Sequence, residues 1–201
     1  MRNRSAVLEL AVLGLLHTGP LHGYELRKRL NLMLGPLRAF SYGSLYPCLK
    51  TLQADGFIDG VAGTTMRRSE RLSHTGRNDN SAGGQQSRRS KIVYHLTSSG
   101  SNRLEKLLGE AGPASWEDEN FDIRFAFFTQ TDRSTRLRVL EGRRARMAER
   151  LDTLFSSAQS SAGSADPYLL ELQHHWHDQT ERELHWLDKL IANEHAGENN
   201  L

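Results

Sequence analysis

Residues 6–16 read AVLELAVLGLL, and at helical spacing their apolar side chains fall on nearly every face. A helix of that kind has no side to give to water, so other elements must pack around it and it must occupy the middle of a core. Ser5 stands where a capping residue would start it, and His17 ends it. The run is well short of the roughly 20 apolar residues that span a bilayer. Glu9 interrupts it, and no small-residue cleavage site follows as a secretory leader would require. The expectation is a soluble cytoplasmic chain, without membrane attachment, organised around a central helix.

The 201 residues suffice for one domain of about 100 to 150 residues and an appendage. At 37% hydrophobic the chain is lean in apolar surface for a monomer, which favours oligomerisation. Its one cysteine, Cys48, excludes an internal disulfide framework and reads as a small buried hydrophobe.

A Thr18-Gly19-Pro20 turn leads into a second helix, GYELRKRLNLML at 23–34, with Leu26, Leu30, Met33 and Leu34 on one face, ended by Gly35-Pro36. Pro47 lacks an N–H, which is harmless in a first turn, so a third helix is expected to start with Ser44 as its N-cap. Leu45, Leu49 and Leu52 then face inward, Gly43, Pro47, Lys50 and Thr51 face outward, and Tyr42 and Tyr46 lie at the margin. Residues 57–61 and 91–96 read as short strands of an antiparallel ribbon. Between them, residues 62–90 carry Arg67, Arg68, Arg71, Arg77, Arg88 and Arg89 against Glu70 and Asp79. No apolar periodicity is present to order this tract, which predicts an extended flexible loop.

Thr97 caps a fourth helix with Leu104, Leu107 and Leu108 on its buried side, and Gly112-Pro113 marks a boundary between domains 1–112 and 113–201. Beyond the apolar FDIRFAFF segment, a helix starting at Thr131 carries Leu137, Leu140, Met147, Leu151 and Leu154 in a 3-4 rhythm interrupted by Arg144. A last helix, about 167–191, repeats the rhythm with Leu169, Leu172, Trp176, Trp186 and Leu190. Such seams seek partner helices, and we expect them to pair two copies of the chain. The fold class is therefore mainly α with a small β-hairpin: a winged helix-turn-helix domain followed by a C-terminal helical dimerisation domain.

Charge separates along the chain. Residues 1–91 hold 14 Lys+Arg and 6 Asp+Glu, net +8; residues 92–201 hold 12 and 18, net −6. A basic half suits a polyanion, because Lys and Arg on phosphates release condensed counterions. In a winged helix-turn-helix the helix after the turn enters the major groove of double-stranded DNA. The start of the third helix supplies N–H groups and a positive dipole end for phosphate, Gly43 permits close approach, and Lys50 can donate to guanine. Tyr42 and Tyr46 also suit half-buried core positions. Ser41 before the helix, and Arg88, Arg89 and Lys91 at the end of the arginine-rich tract, complete the candidate DNA-facing set.

HGYELRKRL at 22–30, SYGSLYPCLKTLQADGFI at 41–58 and KIVYHLTSSG at 91–100 resemble the PadR family of bacterial transcriptional regulators. The resemblance covers the amino-terminal domain and extends in organisation to the helical half, where that family dimerises. It implies a repressor that binds a palindromic operator as a homodimer and is released by a small ligand or stress signal. Carried over by position, Tyr42, Gly43, Ser44, Tyr46, Pro47 and Lys50 would be recognition-helix contacts. Tyr24 would brace or contact the DNA backbone from the second helix. The tract within 62–90 departs from the short wing of the family.

Other chemistries fit the sequence less well. His174, His175 and His177 with Glu171 and Glu181 invite a metal reading, but His174 and His175 point in different directions and no cysteine ligand pair accompanies them, so no metal site is expected. No serine elbow, phosphate-cradling glycine loop or cysteine-histidine signature suggests an enzyme, and no cofactor is implied. Trp116, Phe125, Phe128 and Trp176 are aromatic candidates for an effector pocket, with core packing as their other use. The competing function is a helical protein-interaction module whose basic half does not read DNA sequence.

Overall fold

The computed structural model describes residues 2–34, 42–62, 92–161 and 166–197. Its first helix, α1 (Arg2–His17), is the hub that the sequence predicts: Val7, Leu8, Leu10, Ala11, Val12, Leu13, Leu15 and Leu16 are all buried. Ser5 lies inside α1 rather than at its cap, because Arg2, Asn3 and Arg4 contain no helix breaker and the helix runs back through them. The Thr18 hydroxyl donates to the Leu15 carbonyl at 2.7 Å, and Gly19 takes a φ of +145° to turn the chain. A two-residue strand, β1 (Leu21–His22), precedes α2 (Gly23–Leu34), which buries Leu26 and Leu30 completely.

Helix α3 (Tyr42–Ala54) starts two residues before Ser44, so Ser44 is not its N-cap and Pro47 is inside the helix. Proline there costs one hydrogen bond, to the carbonyl of exposed Gly43, which water can satisfy. The far end of α3 closes at Gly56. Gly56 adopts φ +74°, its N–H donates to Gln53 at 3.1 Å, and the Phe57 N–H donates to Leu52 at 2.9 Å, the paired bonds of a glycine C-terminal stop.

Strands β2 (Ile58–Ala62) and β3 (Ile92–Leu96) pair antiparallel; β2 lies one residue later than expected, and Lys91, the expected first residue of β3, lies outside the described residues. Sequence reading missed β1, too short for any periodicity, which adds to the other edge of β3 and makes the order β1-β3-β2. Tyr94 is buried, whereas Ile92 is exposed and Leu96 only partly covered, so the alternation of β3 is weaker than its sequence suggests.

Thr97 joins these pieces. Its hydroxyl accepts from Gly100 N–H at 3.0 Å as the N-cap of α4 (Ser98–Gly109), and it donates to the Gly56 carbonyl at 2.7 Å. Its N–H reaches Phe57 O at 3.1 Å. One threonine thus ties the end of α3, the start of β2 and the start of α4. The contact is tight: a Cβ on Gly100 would sit 2.0 Å from the Phe57 carbonyl oxygen.

A 3-10 turn (Pro113–Trp116), α5 (Asp118–Ala126) and a second 3-10 turn (Phe128–Gln130) lead to two long helices, α6 (Arg133–Ser161) and α7 (Pro167–Ala196). Asp132, not Thr131, caps α6, since its carboxylate accepts from Thr135 N–H at 2.9 Å while the Thr131 hydroxyl turns back to Phe127 O. Helix α7 continues past Ile191 until Gly197 takes φ +74°. Two cores result. Ile123 of α5 and Phe127 at its C-cap join the α1 core, the ring of Phe127 filling the gap left by Gly14. Phe121 joins Val139, Leu140, Met147, Leu187 and Leu190 between α6 and α7.

Gly100→Ala should destabilise the fold by about 1–3 kcal/mol through overpacking on backbone, whereas Gly112→Ala, which has open space at its Cβ, should leave the melting temperature unchanged. Thermal denaturation followed by circular dichroism checks both.

Candidate nucleic-acid interface

Burial of Leu45, Leu49 and Leu52 fixes which side of α3 faces the core, and the opposite side carries Gly43, Ser44, Pro47, Lys50 and Thr51, all exposed. Among the described residues no carboxylate pairs with Lys50. At the N-terminal end of the helix the first-turn N–H groups have no partners within it and carry the positive end of the dipole. Tyr24, in the first turn of α2, is 65% exposed.

Tyr46 combines both roles open to it in the sequence. It is 47% exposed, yet its hydroxyl lies 3.5 Å from the position a Gly23 Cβ would take. Gly43, Ser44, Tyr46, Pro47 and Lys50 therefore sit on one surface helix, with Tyr46 reaching across to the first turn of α2 beside Tyr24. Ser41, Arg88, Arg89 and Lys91, the remainder of the 62–90 tract beyond Ala62, and the side chain of Tyr42 lie outside the described residues.

The seam residues divide. Leu140, Met147 and Leu190 are buried between α6 and α7 of one chain, and Leu137 and Leu151 are half-buried. Leu169, Leu172, Trp176 and Trp186 are exposed, as are Tyr168 and Phe155. Arg144 does not interrupt the inner stripe: it is half exposed and paired with Asp188. The inward arginine is Arg143, which shares the buried face of α6 with Val139, Leu140 and Met147. Its guanidinium donates to Asp118 and to Trp116 O, each at 2.7 Å, and to Glu183, and it lies over the Phe121 ring.

Of the aromatic candidates for an effector pocket, Phe125 and Phe128 pack edge-on with each other, and Phe125 packs likewise with Trp186. Trp116 fills the gap at Gly142, and Trp176 is exposed. None of the four lines the cavity of about 340 Å³ where α1, α4 and α5 meet, which is bordered by Leu10, Leu107, Glu110, Gly112, Asn120 and Arg124. The Arg124 side chain is 7% exposed, its Nη1 donates to Leu107 O at 2.8 Å, and its buried Nε has no protein partner. Burial lowers the guanidinium pKa, and nearby Glu110 opposes that shift. No pattern in the sequence singles out Arg124, since a lone arginine in an apolar segment signals nothing by spacing.

On α7 the donor atoms of His177, Asp178 and Glu181 lie within 4.8 Å of one another, with Asp178 and Glu181 exposed. Glu171, His174 and His175 are not part of that group. No helix among the described residues is long and apolar enough to cross a membrane.

Residues 12–80 match the family model described as the transcriptional regulator PadR-like family, which shows over that segment the resemblance carried by the sequence motifs. No curated protein matches the chain. Solved structures similar to it include Bacillus subtilis PadR in complex with operator DNA, at 22% identity over 92% of this chain and 97% of the other, TM-score 0.39. The same protein in complex with p-coumaric acid matches at 22% identity over 94% and 96%, TM-score 0.39. A PadR-like transcriptional regulator from Bacillus cereus matches at 16% identity over 94% and 99%, TM-score 0.38.

Cys48, beside Pro47, is turned toward α1. Burial first, and the charge of Glu9 second, push its thiol up to about 12. It should resist an aromatic disulfide reagent at pH 8 in the folded protein and react at once in denaturant. Rapid reaction of the native chain would contradict this placement.

Proposed function

We propose that the chain is a PadR-like transcriptional regulator: a non-catalytic cytoplasmic repressor that binds a palindromic operator as a homodimer and leaves it when a small ligand or stress signal intervenes. The observation that carries this reading is the outer face of α3. Gly43, Ser44, Tyr46, Pro47 and Lys50 are exposed together on the helix that follows the turn, within the segment that matches the family.

Each residue has a physical task on DNA. The α3 N-terminus and the Ser44 hydroxyl meet phosphate, Gly43 and Pro47 leave the backbone free of bulk, and Tyr46 and Tyr24 offer hydroxyls to the sugar-phosphate chain. Lys50, further along the helix, reaches a base edge. The side chains of Ser41, Tyr42, Arg88, Arg89 and Lys91 extend the contacts to flanking phosphates and the adjacent groove. The exposed stripe of Leu169, Leu172, Trp176 and Trp186 supports pairing with a second copy, which would set two α3 helices against two half-sites. The 340 Å³ cavity beside Arg124 is one place for an effector, and a buried guanidinium N–H without a protein partner favours one with an anionic group.

In an electrophoretic mobility shift, the protein should retard its own upstream DNA at moderate salt. Lys50→Ala with Tyr46→Ala should abolish sequence preference while the dimer persists in sedimentation. Binding that stays equally tight and selective would favour the protein-interaction module instead. Trp176→Glu with Leu172→Glu should convert the dimer to monomer and weaken operator binding, read by analytical ultracentrifugation and the same shift assay. Deleting residues 68–86 should flatten the slope of log affinity against log salt by about 0.9 per lost phosphate contact.

A further inference from the structure

We infer that Tyr94, buried in the middle strand, is a positioning residue for Tyr46 and sets the angle at which the recognition helix presents its tyrosine hydroxyl. The inference rests on the DNA-binding reading above and adds to it a residue that no DNA reaches. Tyr94 is 5% exposed. It pairs with Leu21 on one side and Gly60 on the other, so its backbone is fixed from both edges of the sheet.

Its ring and that of Tyr46 converge on one point of the backbone. The position of a Gly23 Cβ lies 3.5 Å from Tyr94 Cε2, 3.5 Å from the Tyr46 hydroxyl and 3.6 Å from Tyr46 Cε1. These are ordinary van der Waals separations, so both rings pack against the first residue of α2 without strain. Burial raises the Tyr94 phenol pKa, and the Tyr46 phenol adds to that rise, as expected of two hydroxyl-bearing rings that share one pocket.

The arrangement has an energetic purpose. A half-exposed tyrosine on a surface helix would otherwise sample rotamers, and ordering it at the moment of binding costs about 0.5–1.5 kcal/mol. The wall formed by Tyr94 and Gly23 settles that choice in the free protein. A second tie lies beside it. A Cβ on Gly60, the cross-strand partner of Tyr94, would fall 2.5 Å from Gln53 Nε2 of α3, so a side chain of the recognition helix occupies the space glycine leaves in the sheet. The wing strand β2 is thereby packed directly against α3.

The test is a double-mutant cycle on affinity for the operator, identified by footprinting and measured by fluorescence anisotropy at a temperature where circular dichroism shows every variant folded. Tyr46→Phe should lose about tenfold, the value of one hydrogen bond to a charged oxygen. Tyr94→Leu should lose a similar factor, Tyr94→Phe should retain wild-type affinity, and the Tyr94→Leu, Tyr46→Phe double variant should bind no worse than the weaker single one. Leu30→Ala, a buried substitution elsewhere in the same core, serves as the control and should combine multiplicatively with Tyr46→Phe. If Tyr94→Leu does not fold, Gly23→Val takes its place, its added methyls displacing the Tyr46 ring, with the same non-additivity expected. Losses that multiply for Tyr94 and Tyr46, or a loss in Tyr94→Phe equal to that in Tyr94→Leu, would overturn the positioning role and leave the operator reading standing. Wild-type affinity in Tyr46→Phe would remove Tyr46 from the interface and the inference with it.

Discussion

Burial of α1 on all sides is the constraint from which the arrangement follows. A helix with no wet face needs neighbours around its whole circumference, and the chain supplies α2 and α3 from one part of its length and β3, α4 and α5 from another. The one charge placed well within α1 shows how complete the enclosure is. Glu9 is only partly exposed and is matched by Arg103 of α4 at 2.7 Å, and its field still reaches Cys48 on α3. The same helix supports both α3 and α5 and so links them through a single element. A cavity bounded by Leu10 of α1 and Arg124 of α5 lies on that line.

Buried arginines hold the second half in register. Arg143 satisfies Asp118, Glu183 and the Trp116 carbonyl at once, so its charge is compensated in a way a lone pair could not achieve. Arg136 grips Glu194 through two parallel bonds at 2.7 and 2.8 Å and fastens the start of α6 to the end of α7. Arg124 differs. It caps the last carbonyls of α4 but leaves Nε unpaired, and an unsatisfied buried donor costs about 1–3 kcal/mol. Arg136 and Arg143 direct their Nε donors into ion pairs, whereas Arg124, which meets Glu110 through Nη2 at 3.7 Å, keeps its Nε without a protein partner.

The sequence shows most plainly those elements whose cause is local. The Thr97 cap, the start of α2 and the inward leucines of α3 and α4 follow from residue chemistry over a few positions, and each is found in place. What escaped depends on neighbours distant in the chain. Two residues, Leu21 and His22, become a strand only because β3 is there to receive them. The inward turn of Arg143 in place of Arg144 depends on which face of α6 packs against α7. Pro47 is instructive in the other direction: its missing N–H was weighed correctly, but an exposed Gly43 lowers the cost of proline in a second turn, so the helix begins earlier.

That earlier start matters for the candidate site. With Tyr42 as the first helical residue, Gly43 and Ser44 belong to the first turn instead of preceding it, at the positive end of the helix dipole. Lys50 then lies two turns from the N-terminus, on the same exposed side as Gly43 and Pro47. The helix start and Lys50 are thereby separated by about 10 Å along the axis, at 1.5 Å per residue. The helix is held from behind, by Tyr46 on Gly23 and by Gln53 against Gly60, so the attitude of its exposed side is set by contacts that face away from that side.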